Sequence, residues 1–132
     1  MASIFTKIVN GEIPSYKISE NEKFLAFLDV FPLVHGHILV IPKKEIDYIF
    51  DLPASDLAEM MAFAKLVAQA QKAAVPCKRI GIAVIGLEVP HAHIHLVPLN
   101  TVNDINFTQP KLKPSPDELR CMAEKIRFHL SH

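Results

Sequence analysis

The stretch His91-Ala92-His93-Ile94-His95-Leu96-Val97 places a histidine at every second position from 91 to 95. With seven histidines in 132 residues, random order would produce such a triplet in roughly 2 of 100 chains of this composition. Because side chains alternate between the two faces of a β-strand, the pattern predicts three imidazoles on one face and apolar side chains on the other. We expect the apolar face to pack into a core and the histidine face to form a site.

The segments around this strand predict a small α+β domain. Runs of β-branched, aliphatic and aromatic residues indicate strands, and a 3.6-residue apolar period indicates helices. The predicted strands are 16–19, 24–28, 37–41, 79–85 and 93–97, with a turn over 86–90. Helices are predicted for 3–9, for the segment between Pro53 and Pro76 with Ser55 as its N-cap, and for 116–129. Because this order needs few crossovers, the sheet is predicted to be mainly antiparallel.

Length and composition exclude several classes of protein. At about 100–200 residues per domain, residues 1–132 make one domain. The 14 basic and 14 acidic side chains cancel, which argues against nucleic acid or an anionic membrane as a partner. No run approaches the roughly 18 apolar residues that span a bilayer, and the N-terminus lacks the features of a signal peptide. We therefore expect a cytoplasmic protein with Cys77 and Cys121 as ordinary thiols.

Three hypotheses account for the alternating histidines. In a strand, the Cα atoms of His91 and His95 lie roughly 13 Å apart, whereas a metal ion needs each ring nitrogen within about 2.1 Å. A metal site would therefore use two of the three and a ligand from elsewhere, such as His35 or His37. A structural role would require a hydrogen-bond partner for every buried ring. The third hypothesis is a catalytic face for phosphoryl or nucleotidyl transfer.

Imidazole suits the catalytic hypothesis because one type of ring can perform several functions. A neutral ring nitrogen approaches an anionic phosphate without the repulsion that a carboxylate suffers. Protonated neighbours are expected to neutralise charge on the phosphate oxygens and to protonate the departing group. The histidine face can therefore supply the nucleophile, the phosphate-binding groups and the acid without a cofactor.

The chain resembles the histidine triad family over most of residues 3–98. The motif at 91–97 fits the family signature, and Pro98 continues it as in many relatives. Residues 4–14, Ile-Phe-Thr-Lys-Ile-Val-Asn-Gly-Glu-Ile-Pro, resemble the opening helix of the family, and residues 27–30 and 36–44 resemble its two central strands. The resemblance does not cover the tail beyond Leu99. It implies an α+β fold in which a homodimer joins two five-stranded sheets.

The resemblance also implies a role for each histidine. His93 matches the nucleophile that forms a covalent nucleotidyl-histidine, which water later hydrolyses. His95 matches the residue that holds the phosphate and assists protonation, and His91 matches the one that orients the nucleophile. His37 matches a further histidine on an earlier strand. The implied reaction is attack on the α-phosphate of a purine nucleotide.

The predicted substrate-binding residues follow from the same resemblance. Asp29, with Val30 beside it, matches the acidic residue that accepts hydrogen bonds from the ribose hydroxyls. The loop before the histidines contributes Gly86, Leu87, Glu88 and Val89. Residues matching the apolar positions that enclose the base are Phe5, Ile8, Ile13, Phe27 and Leu39. A simpler explanation stays open for both groups, since the apolar residues could be plain core and Asp29 could cap a turn.

Two departures from the family pattern bear on activity and on metals. Leu87 stands where many relatives have a glutamine, and leucine cannot donate a hydrogen bond to phosphate. Metal-binding members place cysteines at the positions of Ser3 and Thr6 and a histidine at that of Glu45, so no metal is expected. The remaining histidines, His35, His129 and His132, are expected outside the site.

The leading hypothesis is a nucleoside phosphoramidase or a related nucleotidyl hydrolase that needs no cofactor. Its expected partners are a purine nucleotide and a second copy of the chain, with no nucleic acid or membrane. One alternative is hydrolysis of dinucleoside polyphosphates by the same chemistry. Another is a nucleotide-binding regulatory module with little turnover, for which Leu87 is the best argument. A metalloprotein is the remaining alternative.

Overall fold

A computed structural model describes residues 2–130, and the predicted α+β class is confirmed. His132, expected in the tail, lies outside the described residues. The strands are β1 (Lys17–Glu20), β2 (Phe24–Leu28), β3 (Ile38–Pro42), β4 (Arg79–Ala83) and β5 (Ile94–Leu99). The helices are α1 (Ile4–Val9), α2 (Ala54–Ala74) and α3 (Pro116–Phe128). Single turns of 3-10 helix at Ile49–Asp51 and Val102–Ile105 were not predicted.

The five strands form one antiparallel sheet in the order β1-β2-β3-β5-β4. The register pairs Phe27 with Leu39, and Leu39 with His95. These three side chains therefore lie in a row across the same face of the sheet. The register thus brings apolar residues of β2 and β3 beside the histidines of β5.

The two faces of the sheet have different coverings. From β2, Phe24, Ala26 and Leu28 pack into the large core formed with α2 and α3. Leu25 and Phe27 point the other way, into a smaller cluster closed by Phe5 of α1. Because both faces are covered, the strand is buried at all five positions rather than at alternate ones.

The residues just before α2 and α3 determine where these two helices begin. Ser115 caps α3 by accepting the Glu118 N–H at 3.1 Å, and Pro116 occupies the first helical position. The predicted cap of α2 at Ser55 is wrong. The helix begins at Ala54 after Pro53, whose extended backbone ends the preceding loop and whose carbonyl accepts the first helical hydrogen bond.

The histidine strand begins later than predicted. β5 starts at Ile94, so His91 and His93 lie in the turn that enters it. The register of Val40 with Ile94 would place Ala92 opposite Pro42, which has no N–H for the ladder. Ala92 N–H instead donates to the carbonyl of Ile46 at 2.7 Å. Likewise β4 ends at 83, two residues before its predicted end.

The helices have lengths and compositions typical of a globular domain. Over residues 2–130, none combines the length and the apolar character needed to cross a bilayer. Cys77 and Cys121 are unpaired thiols within this part of the chain.

Gln71 joins α2 to the two strands that carry the site. Its buried Nε2 donates to the carbonyls of Gly36 at 2.8 Å and of Leu96 at 2.9 Å. These carbonyls belong to the residues that precede His37 and follow His95. The amide therefore links α2 to both of the chain segments that carry these histidines.

Replacement of Gln71 by leucine is expected to lower the free energy of unfolding by about 2 kcal/mol. The physical reason is that two buried carbonyls lose their donor and gain none. Denaturant unfolding followed by circular dichroism measures the change. Gln69→Leu, on an exposed position of the same helix, is the matched control, and equal stability of the two variants would contradict the assigned role.

Candidate active site

Four histidines converge on the face of the sheet opposite α2 and α3. His37 directly precedes β3, His95 lies within β5, and His91 and His93 lie in the turn that enters β5. The rings of His93 and His95 have centroids 4.9 Å apart, and those of His37 and His95 are 5.1 Å apart. All four residues are buried, with at most 8% of their surface exposed. Each ring therefore needs defined hydrogen-bond partners.

A backbone amide sets the protonation of His37 and His95. Leu33 N–H can only donate, and it lies 3.1 Å from Nδ1 of His37, so this nitrogen is the acceptor. The proton of the neutral His37 ring is then on Nε2, which donates to Nδ1 of His95 at 2.9 Å. His95 in turn must carry its proton on Nε2. It therefore presents an N–H donor on the side away from His37.

His93 has the opposite tautomer. Its Nδ1 lies 2.7 Å from the carbonyl oxygen of His91, which can only accept, so Nδ1 carries the proton. Nε2 therefore keeps its lone pair, and it has no hydrogen-bond partner among residues 2–130. The arrangement leaves an unprotonated ring nitrogen at the edge of an apolar cluster, as a nucleophile requires.

His91 anchors this arrangement rather than facing a ligand. Its Nε2 donates to the carbonyl of Pro42 at 2.7 Å, and its Nδ1 accepts from the hydroxyl of Ser3 at 2.8 Å. Glu45 completes the network by accepting from Ser3 N–H and from the Thr6 hydroxyl, both at 2.6 Å. These bonds, led by that from Ser3 N–H, lower the pKa of Glu45 to about 2. Ser3, Thr6 and Glu45, the three positions compared above with metal ligands, thus belong to one hydrogen-bond network.

Burial disfavours the protonated forms of His37, His93 and His95. Loss of solvent, followed by the charge of His95, lowers the pKa of His37 to about 3. Loss of solvent, followed by the charge of His93, lowers the pKa of His95 to about 4. Burial also lowers the pKa of His93, although its bond to the His91 carbonyl opposes this effect. The sequence led us to expect protonated histidines beside His93. The lowered pKa values correct this expectation, because His37 and His95 are neutral N–H donors at pH 7.

Asp29, His37 and His95 form the one group in the described chain that could meet around a metal ion. Asp29 Oδ2 lies 3.9 Å from Nε2 of His37. Coordination through that Nε2 would require the ring proton to move to Nδ1, where it would face the N–H of Leu33. Two donors would then oppose each other in a buried place. The hydrogen-bonding pattern therefore favours the His37–His95 bond over a metal.

Asp29 both caps a turn and faces the histidines. Its Oδ1 accepts from Phe31 N–H at 2.9 Å, which is the turn-capping alternative, while Oδ2 faces His37. Burial raises the pKa of Asp29, and the hydrogen bond from Phe31 opposes that rise. Val30 beside it is 41% exposed. One carboxylate oxygen is thus occupied by the backbone and the other lies at the site.

The predicted base-binding residues divide into an inner and an outer group. Phe5, Phe27 and Leu39 are buried together in the cluster beside His93, where the Phe5 ring centroid is 5.0 Å from that of His93. Ile8 is half-buried and packs on this cluster. Ile13 is half-buried but is not part of it. The inner residues therefore form an apolar cluster beside His93, and Ile8 lies nearer its surface.

The residues of the loop 86–89 lie in different environments. Val89 packs on the apolar cluster, and its carbonyl accepts from His91 N–H at 2.8 Å. Glu88 is exposed, but its charge raises the pKa of His93 against the larger effect of burial. Gly86 allows the turn with a φ of 72°. Leu87 is 88% exposed and lines a separate apolar cavity, so the structure does not place it against the histidines.

Phe107 was not predicted from the sequence to lie at the site, yet its ring centroid is 4.7 Å from that of His95. Lys111 was not predicted either, and its ammonium group lies 5.7 Å from the centre of the Phe107 ring. Both residues come from the polar segment 100–115, which shows neither a helical nor a strand period. A single aromatic residue within such a segment is the only signal that could have indicated them.

Comparisons with known proteins assign the chain to a family. The HIT domain model matches residues 10–102. The chain belongs to this family. It is 34% identical over 132 residues to adenosine 5'-monophosphoramidase of Schizosaccharomyces pombe, covering 96% of each protein. To the Saccharomyces cerevisiae protein of that name it is 39% identical over 98 residues, covering 74% of this chain and 62% of the yeast protein.

Solved structures of the HIT family have the same fold. A HIT-like protein of Bartonella henselae superposes with a TM-score of 0.84 at 28% sequence identity, covering 97% of this chain and 96% of that one. The high coverage includes the segment beyond residue 99, which the sequence resemblance did not reach. The five-stranded sheet with its helices is thus the fold of the whole chain rather than of the motif alone.

The tautomers provide a direct test of the site. Nitrogen-detected NMR of histidine-labelled protein at pH 7 is expected to show His93 protonated at Nδ1, and His37, His91 and His95 protonated at Nε2. On acidification, His37 and His95 are expected to stay neutral until below pH 5, because their pKa values lie near 3 and 4. Protonation of His93 at Nε2 instead would contradict the assignment of its lone pair.

Proposed function

We propose that the protein is a nucleotide hydrolase that acts on the α-phosphate of purine nucleotides, with phosphoramidates as the leading substrate class. The observation that carries the proposal is the unprotonated Nε2 of His93, set by the His91 carbonyl, beside an apolar cluster. The two yeast relatives named adenosine 5'-monophosphoramidase support the same class of activity. The apolar side chains of the cluster suit contact with a base, and Asp29 Oδ2 suits a ribose hydroxyl.

In the proposed first step, Nε2 of His93 attacks the α-phosphorus and forms a P–N bond. The bond from phosphorus to the leaving amine breaks, and the amine departs with the bonding electron pair and takes a proton from water. The ring becomes positively charged, and the His91 carbonyl stabilises it by accepting the bond from Nδ1. The N–H of His95 holds a phosphate oxygen during this change without needing a positive charge.

The second step releases the product. A water molecule attacks the same phosphorus, the P–N bond to His93 breaks, and the nucleoside monophosphate leaves while the proton of the water passes to solvent. Hydrolysis of a dinucleoside polyphosphate would follow the same steps with a nucleoside phosphate as leaving group. Comparing the two substrates at equal concentration distinguishes them. Tight binding of a nucleoside monophosphate with background turnover would instead support the regulatory module.

Replacement of His93 by alanine is expected to reduce turnover of an adenosine phosphoramidate by about 100-fold or more, because the attacking nitrogen is removed. Rapid quenching of the wild-type reaction should also show a nucleotidyl mass adduct confined to the peptide that carries His93. His35→Ala, which changes an exposed histidine in the turn before β3, is the control. Undiminished turnover by His93→Ala would rule out the proposed nucleophile.

We also propose that the chain forms a homodimer through the edge of β4. This strand pairs only with β5 among the described strands, so one of its backbone edges is open to another strand. Exposed apolar side chains lie beside that strand: Met61, Ile82, Val84 and Ile85. An open edge beside an apolar surface fits a second copy related by a two-fold axis.

A lysine at position 82 is expected to prevent this association, because it would place an unpaired charge in the contact. Sedimentation velocity at micromolar concentration should show a dimer for the wild type and a monomer for Ile82→Lys. Val102→Lys, which changes an exposed apolar residue in the 3-10 turn after β5, should remain dimeric. A monomeric wild type would refute the dimer while leaving the proposed chemistry in place.

A further inference from the structure

The segment 106–113 crosses the histidine face and is tied to it at two points. Leu112 N–H donates to the carbonyl of Pro32 at 2.9 Å, which attaches the segment to the turn after β2. The Phe107 ring packs edge-on against His95, with centroids 4.7 Å apart, and against His37 at 6.4 Å. The segment is therefore a wall of the candidate active site rather than a loop remote from it.

Lys111 is held over that wall by two contacts. Its Nζ donates to the carbonyl of Phe107 at 3.0 Å and lies 5.7 Å from the centroid of the same ring. Because an ammonium group has three N–H donors, the bond to this carbonyl leaves donors for a ligand. The lysine is exposed, so a ligand can reach it from solvent.

Binding a phosphate beside these histidines would require a positive charge nearby. His37 and His95 are neutral at pH 7, while a phosphate ester brings negative charge and Asp29 adds a carboxylate. The charge of Lys111 acts on the same groups, because it lowers the pKa of Asp29, His37 and His95. Lys111 is thus within electrostatic reach of the groups around which a phosphate would bind.

We propose that Lys111 binds a phosphate oxygen of the nucleotide substrate, with the Phe107 ring as the support that holds the ammonium group beside His95. The inference rests on the proposed function and deepens it, because it assigns the positive charge of phosphate binding to the segment beyond the histidine motif. Lys111 supplies the positive charge, and the neutral N–H of His95 orients the phosphate through a hydrogen bond. The site therefore requires a phosphorylated nucleoside and discriminates against the nucleoside itself.

Binding of AMP and of adenosine, measured separately by isothermal titration calorimetry, tests the proposal. Lys111→Gln is expected to weaken AMP binding about tenfold, because it removes a charge-assisted hydrogen bond. Adenosine, which has no phosphate, should bind both proteins equally. Lys111→Arg should retain most of the AMP affinity, since it keeps the charge. Lys113→Gln, which removes an equal charge two residues away on the same exposed segment, is the matched control.

Each outcome of these titrations supports or overturns the proposed role of Lys111. Equal AMP affinity of Lys111→Gln and Lys113→Gln would overturn the assignment of Lys111 while leaving the nucleotide site intact. Equal weakening for AMP and adenosine would also overturn it, because the lysine would then support the pocket rather than the phosphate. If the wild type binds neither AMP nor adenosine, the proposed function itself fails together with this inference. Selective loss of AMP binding by Lys111→Gln alone supports it.

Discussion

The site depends on two backbone groups, each of which can hydrogen-bond in only one sense. Leu33 N–H must donate, and so fixes the proton of His37 and through it that of His95. The His91 carbonyl must accept, and so fixes the proton of His93 on the opposite nitrogen. Side-chain partners such as hydroxyl groups could reverse their roles, but backbone groups cannot. Two chemically identical rings, 4.9 Å apart, thereby present an N–H donor at Nε2 of His95 and a lone pair at Nε2 of His93.

The fold supplies both backbone groups at the ends of strands rather than within them. Inside a ladder, carbonyls and amides are occupied by neighbouring strands. His91 lies before β5, where Pro42 ends the pairing with β3, so its carbonyl is available to a side chain. Leu33 lies in the connection between β2 and β3, where its amide is likewise available. The early end of the ladder thus contributes to the tautomer of His93.

Local patterns predicted the sheet well because strand periodicity is a property of neighbouring residues. The apolar runs of β2 and β3 and the alternation in β5 identified the strands, and the resemblance identified His37 as a companion of the motif. Ring tautomers could not be predicted, because the partners of His37 and His91 depend on folding of the connections and of α1. The place of Phe107 beside His95 could not be predicted either, because the hydrogen bond from Leu112 to Pro32 determines where its segment lies.

The two ends of α1 are attached to the rest of the molecule by different kinds of contact. At its N-terminal end, Ser3 and Thr6 are bonded to Glu45 and His91, which belong to distant parts of the chain. At the other end, the backbone bonds through Gly11 and Ile13 are all local to the helix and its following turn. The outer end of α1 is held to the sheet by apolar packing alone, through Ile8 and Val9 on the cluster around Phe5. Polar bonds thus set the position of α1 relative to His91, and apolar contacts set its position over the sheet.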